Sequence, residues 1–527
     1  MYVPLLGEVS PWLLVLVGLL TAFYLYTTSF VGVLKAYGIP GPKPWPVINH
    51  MPEMRKHGLS KMLDEWRSLY GDTYGFYGLF PRCATIVTHD ARLLEHVMVK
   101  DFSNFVDRAG RRTTLSIVSK GLFSLSGDYW RRSRHVMSPM FTVGRLKQML
   151  YHVNTSAALL LELFKKHKAE GKLIPLKVTA GRYTSDVIAR VGFSIDSKAL
   201  TEENSEFSKN INNFIRIPAT RLQSYVRSIA EFFPPIMDIG LKLFTEQVDA
   251  ILPETNRYFL NLIKDSIDRK LHERSRPDYK KSSHVDMLDM LLDAEVDDQT
   301  GKHLKAEDRK ITRNEVIGNS AILILAAYET TSTALTSILY LLARHPDIQD
   351  KLIEEVDQVM QGQAEPRYED LSKLVYMTQV IYESLRMFPP SPDVSRRALV
   401  TKTYDGFTIP KGAVIFIPIY KIVKDPRYFP DPYKFDPERF SPERKLEIDP
   451  ITFLPFGFGR RQCVAKRLAL IELKVVLCLL LSNMKCRFQR EIILSFSSAF
   501  LNLELQWPNV ADSTFGLWGI LCIRLRV

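Results

Sequence analysis

The chain is poor in cysteine and free of the patterns that cysteine usually makes. Five cysteines in 527 residues (Cys83, Cys463, Cys478, Cys486 and Cys522) form no CxxC pair and cannot all pair. This argues against a disulfide scaffold and for a reducing compartment around the main body. Low-complexity tracts and internal repeats are also missing, which excludes solenoid and propeller architectures. Lys and Arg exceed Asp and Glu, giving a net charge of +12, but they are not gathered into blocks. A nucleic-acid-binding arm is therefore not expected; a basic face for anionic lipid or an acidic protein suits the charge better. At 46% hydrophobic residues the chain can bury a large core.

Charge is absent altogether from Pro11 to Leu34, a run rich in Leu, Val, Phe and Tyr. As a helix these residues would span about 36 Å, enough to cross a bilayer. Glu8 precedes the run and Lys35 follows it. The basic leader and small-residue cleavage site of a removable signal are both lacking. A retained anchor over residues 1–36 is expected, with the body on the cytosolic side. The prolines of Ile39–Pro46 make a stiff extended hinge, residues 39–46. No linker clearly divides the rest of the chain, so 37–527 reads as one domain. The polar run Arg274–Lys310 is taken as a surface connection within it.

Periodicity predicts a body that is mainly α with a small β region. Helices are expected at Gly127–Leu150, around Val187–Gly192, at Leu241–Lys270, Thr312–Arg344, Asp347–Met360, Leu371–Phe388 and Val464–Leu481. Hairpins are expected from Thr73–Leu79 with Ala84–Thr88, and from Phe407–Pro410 with Ala413–Tyr420 turning at Lys411-Gly412. Thr312-Arg313-Asn314-Glu315 has the form of a capping box, and His345-Pro346 stops the helix it opens. A soluble helix so long and apolar must cross the interior.

The most informative stretch is Phe456-Gly457-Phe458-Gly459-Arg460-Arg461-Gln462-Cys463. It sets one cysteine at the end of a glycine-containing loop and the start of an apolar helix. A helix N-terminus favours the thiolate, and backbone N–H groups can hydrogen-bond the sulfur. Such a thiolate suits haem iron. Gly459 would let the backbone approach a flat macrocycle, Phe456 would pack on it, and Arg461 would meet a carboxylate. F-x-x-G-x-R-x-C arises by chance in on the order of one in a thousand chains of this length.

Within the long helix, Glu329–Thr333 interrupts an apolar run. A carboxylate at Glu329 and a hydroxyl at Thr330 in a dry pocket can pass protons during dioxygen activation. Returned hydroxyls that merely bend the helix, with Glu329 as a paired core acid, explain the same residues. Glu383 and Arg386 lie three apart on one helical face, and Arg439 is the expected third partner of a structural cluster. Trp130 and Arg134, four apart, can donate to a propionate together with Arg461 and Arg397.

Taken together, the anchor, the proline hinge, W-x-x-x-R, A-x-x-E-T-T, E-x-x-R, P-E-R-F and the cysteine loop resemble the cytochrome P-450 family of haem-thiolate monooxygenases. Ala327–Ser332 and Val285–Leu288 look most like its vertebrate 3A-type and thromboxane-synthase-type branch. The resemblance implies a cytochrome P-450 fold around buried haem b, with Cys463 as axial iron ligand. It makes Thr330 the oxygen-activating alcohol and Glu329 its acidic neighbour. Trp130, Arg134, Arg397, Arg461 and Arg108 become propionate contacts, and Glu383, Arg386 and Arg439 a structural triad. An apolar small-molecule substrate (steroid, fatty acid or xenobiotic) is implied. So is an NADPH-dependent cytochrome P-450 reductase in the endoplasmic reticulum membrane, with cytochrome b5 as a further partner. Arg131, Arg132, Lys466 and Arg467 are the basic residues expected to meet the reductase.

Ala465 and Ala327 stand where the family has glycine, Arg460 where proline often sits, and Val423 where histidine is common. The segment Asn502–Val527, with its polar insert Pro508–Ser513, matches poorly. Two other functions fit a haem-thiolate chain: isomerisation of a fatty endoperoxide, and non-catalytic lipid carriage. Thromboxane-type isomerases tend to lose the alcohol after the acid, so Thr330 favours monooxygenation. Substrate contacts are expected from Thr113–Val118, Phe214–Pro218, Ile324–Thr330, Pro392–Val394 and the stretch around Phe500.

Overall fold

Proline and capping chemistry decide where the helices begin and end. In a computed structural model, the described residues are 2–3, 7–8, 11–78, 83–109, 117–216, 254–279, 286–297, 300, 304–488 and 522–526. Helices α1 (Pro11–Thr28) and α2 (Met51–Tyr70) come first, then α3 (Gly127–Met137) and α4 (Val143–Ala169). The single helix expected over Gly127–Leu150 is thus two. Pro139 has no N–H to give, and a 3-10 turn at Ser138–Phe141 separates the pieces. Next come α5 (Leu176–Phe193), α6 (Glu206–Arg216), α7 (Glu254–Arg274) and α8 (Met287–Asp293). The expected start of α7 at Leu241 lies outside the described residues. Helices α9 (Arg313–Arg344), α10 (Pro346–Met360), α11 (Val375–Met387) and α12 (Lys466–Asn483) complete the principal set.

Helix α9 opens on the capping box. The Glu315 carboxylate accepts from the Thr312 backbone N–H at 2.9 Å, and the Thr312 hydroxyl accepts from the Glu315 N–H. Both α1 and α9 are long and apolar enough to cross a membrane. They differ in setting: α9 is largely buried in the main core, whereas nearly every side chain of α1 is exposed.

The principal sheet has β1 (Thr73–Tyr77), β2 (Ala84–Thr88), β3 (Val394–Arg397) and, further along, β6 (Val414–Ile417), in the order β1-β2-β6-β3. β1 and β2 are antiparallel, β6 runs parallel to β2, and β3 closes the edge with Arg396 opposite Ile415. The second hairpin differs from expectation. β4 (Lys402–Tyr404) and β5 (Phe407–Ile409) pair with each other, and β6 joins the larger sheet. The turn is made by Asp405-Gly406, both at positive φ (48° and 83°), the geometry whose twist matches a hairpin. At Gly412 the chain instead bonds back to the Ala398 carbonyl.

The proline segment is tied to this sheet rather than spaced from it. Gly75 N–H donates to the Pro40 carbonyl at 2.8 Å, and His50 bonds to the Pro42 carbonyl. Strand Cys522–Arg526 pairs with Lys485–Phe488 and with Ile174–Pro175. The remainder of the poorly matching C-terminal segment, including Pro508–Ser513, lies outside the described residues.

Candidate active site

Two glycines at positive φ, Gly457 (66°) and Gly459 (67°), shape the loop that delivers Cys463. The Cys463 N–H closes it on the Phe456 carbonyl at 2.8 Å. Helix α12 begins only at Lys466, after Cys463 rather than at it. The sulfur nevertheless receives a hydrogen bond from the Ala465 N–H, and Arg134, Arg108 and Lys466 surround it. Burial outweighs them and pushes the thiol above its ordinary value. Even so, the side chain keeps accessible surface. Gly459 also meets a second constraint, from within the chain. A Cβ there would sit 2.1 Å from the Met98 carbonyl oxygen, so the close approach is to the chain's own π-helical turn, His96–Lys100. Phe456 is half-buried, with the Lys466 ammonium 5.4 Å from its ring centroid.

Helix α9 supplies a second accessible surface inside the body. Ala326 and Thr330, four apart and so on one stripe, are exposed although most of the helix is buried. The Thr330 hydroxyl donates to the Ala326 carbonyl at 2.7 Å. Glu329 is on another face. Its carboxylate pairs with Lys177 of α5 at 2.8 Å, so acid and alcohol do not stand side by side.

Around the cysteine loop lies a cluster of guanidiniums short of anions. Arg461 is buried, 4.3 Å over the Trp130 ring, and donates to the carbonyls of Val106 at 2.9 Å and Leu125 at 2.7 Å. Trp130 itself is buried and packs against Phe102. Arg134 donates to the Gln462 carbonyl at 2.9 Å. Burial, with Arg108 and Arg396 as like-charged neighbours, holds Arg461 well below the ordinary guanidinium range. Burial does the same to Arg396 and Arg108. The Nε atoms of both Arg108 and Arg396 are buried without a hydrogen-bond partner. Such a cluster calls for an anion seated among it. A cysteine sulfur, an indole and unsatisfied guanidiniums are together a donor set that fits an apolar dianion bearing a soft metal.

The expected member Arg397 is not in this cluster. Strand alternation turns it away from Arg396, and it bonds the Cys83 sulfur instead. Of the two adjacent arginines it is Arg396 that faces Arg108 and Arg461, a strand phase that cannot be read from Ser395-Arg396-Arg397 alone.

The sequence matches the family model for Cytochrome P450 over residues 39–504. The chain belongs to the cytochrome P450 family. It is similar to cytochrome P450 3A13 of Mus musculus, 31% identical over 478 residues and 90% of each chain. Cytochrome P450 3A2 of Rattus norvegicus is 33% identical over 475 residues, and cytochrome P450 3A5 of Homo sapiens 32% over 481, each again covering 90% of both chains. Membership makes the protein a haem-thiolate cytochrome P450 monooxygenase.

In this P450, Glu383 and Arg386 are fully buried and joined by two parallel hydrogen bonds of 2.7 and 2.8 Å. Arg439 approaches the same carboxylate at 3.4 Å and donates to the Asp431 carbonyl. Arg386 also donates to the carbonyls of Val423 at 2.9 Å and Pro432 at 2.8 Å, and Glu383 accepts from the Asp436 N–H. The three side chains thus grip the segment leading to the cysteine loop.

The expected docking residues divide. Arg132 is buried and paired with Glu315 at 2.6 Å, so it cannot meet a partner. Arg131 pairs with Asp128, Lys466 is half-buried and Arg467 exposed. Of the family departures, Ala465 needs no glycine, since its φ is −94°. Val423 is buried and gives its carbonyl to Arg386. The side chains of Thr113–Val118 and Phe214–Pro218, and the stretch around Phe500, lie outside the described residues. In Pro392–Val394, burial raises the Asp393 carboxyl to about 6, a polar member of a stretch read as apolar.

Proposed function

We propose that this P450 is a membrane-anchored monooxygenase that binds haem b through Cys463 and oxidises an apolar substrate, a steroid, fatty acid or xenobiotic. One oxygen atom enters the substrate and the other leaves as water, with two electrons and two protons. The electrons come from an NADPH-dependent P450 reductase, with cytochrome b5 as a further donor. The anchor is residues 1–36, crossing the endoplasmic reticulum membrane once, and the catalytic domain is 37–527 on its cytosolic side. The exposed apolar helix α1 supports this arrangement.

The observation that carries the reading is Cys463, an accessible residue whose sulfur takes the Ala465 N–H and lies among Arg134, Arg108 and Lys466, in the same body as the accessible Ala326–Thr330 stripe. Haem held by Cys463 supplies the binding and reductive activation of dioxygen. Arg108, Arg396, Arg134, Arg461 and Trp130 would hold the propionates, with Arg461 anchored by its bonds to the Val106 and Leu125 carbonyls. The small side chain of Ala326 leaves room beside Thr330. The Thr330 hydroxyl hands on protons, exchanging its bond to the Ala326 carbonyl for one across the hollow. Arg131, Lys466 and Arg467 meet the acidic face of the reductase.

Thr330→Ala, reconstituted with reductase, tests this. A monooxygenase diverts NADPH into hydrogen peroxide and loses product. Unchanged turnover without reductase or oxygen identifies an isomerase instead.

A further inference from the structure

Lys466 opens α12, three residues after Cys463, and is half-buried. Its ammonium lies 5.4 Å from the Phe456 ring centroid and 5.9 Å from that of Tyr382. Both distances fall within the roughly 6 Å at which an aromatic ring attracts a cation. The Lys445 ammonium comes 5.6 Å from the same Tyr382 ring, so one ring serves two cations. Phe456 is in turn tied to the cysteine, its carbonyl accepting the Cys463 N–H at 2.8 Å. These contacts hold the Lys466 charge at the cysteine loop.

What the ammonium lacks is a carboxylate: none pairs with it among the described residues. Burial, and then the like charge of Lys445, hold it below its ordinary value, and the Cys463 sulfur is the group that opposes them. The relation is mutual. Lys466 is one of three cations, with Arg134 and Arg108, that favour the charged form of that sulfur. The other two have further duties. Arg134 donates to the Gln462 carbonyl, and Arg108 belongs with Arg396 and Arg461 to the cluster that calls for an anion of its own. Lys466 packs instead on Phe456 and Tyr382, and the sulfur is the one counter-charge it has among the described residues.

We propose that Lys466 is a positioning residue for electron uptake: it fixes one positive charge beside the Cys463 sulfur and so makes the haem held there easier to reduce. The inference rests on the haem-thiolate reading of Cys463. One electron passes from the reductase, which is oxidised, and adds one negative charge beside the sulfur. The Lys466 ammonium attracts the reduced form more strongly than the oxidised one and keeps its own protons throughout. Half-burial limits screening by salt, so the charge counts for more here than it would in open water.

Redox titration of the haem-loaded wild type beside Lys466→Met, Lys466→Gln, Lys466→Arg and Lys466→Glu tests the idea. Dithionite and redox dyes set the potential and no reductase is present, so a role in docking alone moves nothing. At one fixed ambient potential the ferrous-to-ferric ratio should fall about three- to tenfold in Lys466→Met and Lys466→Gln, tenfold being about 59 mV for one electron. It should fall further in Lys466→Glu and stay near wild type in Lys466→Arg. An unmoved ratio in both neutral variants would overturn the proposal. So would an equal fall in Lys466→Arg, which would trace the effect to packing rather than to charge. The carbon monoxide difference band of the same reduced samples should stay red-shifted in every variant, because the charge acts without displacing the ligand. Its loss in the neutral variants would make Lys466 a support of the loop and overturn the proposal. If the wild type itself lacks that band, the haem-thiolate reading falls instead.

Discussion

Gly459 meets the Met98 carbonyl oxygen so closely that a Cβ would sit 2.1 Å from it. Nothing but hydrogen fits there, and the backbone is also left-handed, φ 67°. Gly459→Ala must either push the π-helical turn His96–Lys100 away or distort the loop that carries Cys463. A destabilisation of at least about 2 kcal/mol is expected, with reduced haem retention. Thermal unfolding and haem stoichiometry of the purified variant measure both. Wild-type values would mean that the two segments part easily.

Arg396 and Arg397 are neighbours in sequence with opposite surroundings. Arg396 is buried beside Arg108 with an unsatisfied Nε, whereas Arg397 bonds the Cys83 sulfur. Arg396→Leu should weaken haem retention by about tenfold or more, an amount typical of a lost charge-assisted contact. Arg397→Leu should leave it nearly unchanged. Haem transfer to apomyoglobin gives the two rates side by side. The reverse ranking would restore Arg397 to the propionate site.

The Glu383–Arg386 pair is fully buried, and Arg386 gives its remaining donors to the Val423, Pro432 and Lys434 carbonyls. Glu383→Gln would strand a guanidinium with no counter-charge, at a cost of about 3–5 kcal/mol. Arg386→Lys keeps the charge but not the fork, so it should also be destabilising. Chemical denaturation of the three proteins gives the differences, and a change below about 1 kcal/mol in Glu383→Gln would contradict this bracing role.

Glu472 of α12 gives stability a pH dependence. It is buried, its carboxyl has no hydrogen bond to a described residue, and burial pushes it up to about 8 from an ordinary 4.5. The folded chain therefore holds this proton to about pH 8, while the unfolded chain releases it near 4.5. Between those values the folded state binds more protons, so this contribution falls as pH rises and levels off above about 8. The loss is on the order of a few kcal/mol. Glu472→Gln should remove the slope and be the more stable protein at pH 9. Parallel melting curves of the two proteins from pH 5 to 9 would contradict this.

The outline was legible in residues whose chemistry is local. The capping box at Thr312 and the stop at Pro346 fixed the central helix, and the spacing of Glu383 and Arg386 gave their pairing. Features decided by tertiary register were not. Pro139 split one expected helix, and Asp405-Gly406 rather than Lys411-Gly412 made the second hairpin. The phase of β3 chose Arg396 over Arg397, and the partner of Glu329 came from Lys177, far away in sequence. Arg132 shows the same limit: a basic residue on an amphipathic helix was buried by Glu315.

The decisive experiment for Cys463 as the ligand of the haem iron is the carbon monoxide difference spectrum of the dithionite-reduced protein, wild type beside Cys463→Ser. Thiolate ligation predicts a strongly red-shifted Soret band in the wild type and its loss in the variant. A histidine-like band in folded, haem-loaded wild type, or a red-shifted band that survives Cys463→Ser, would contradict it.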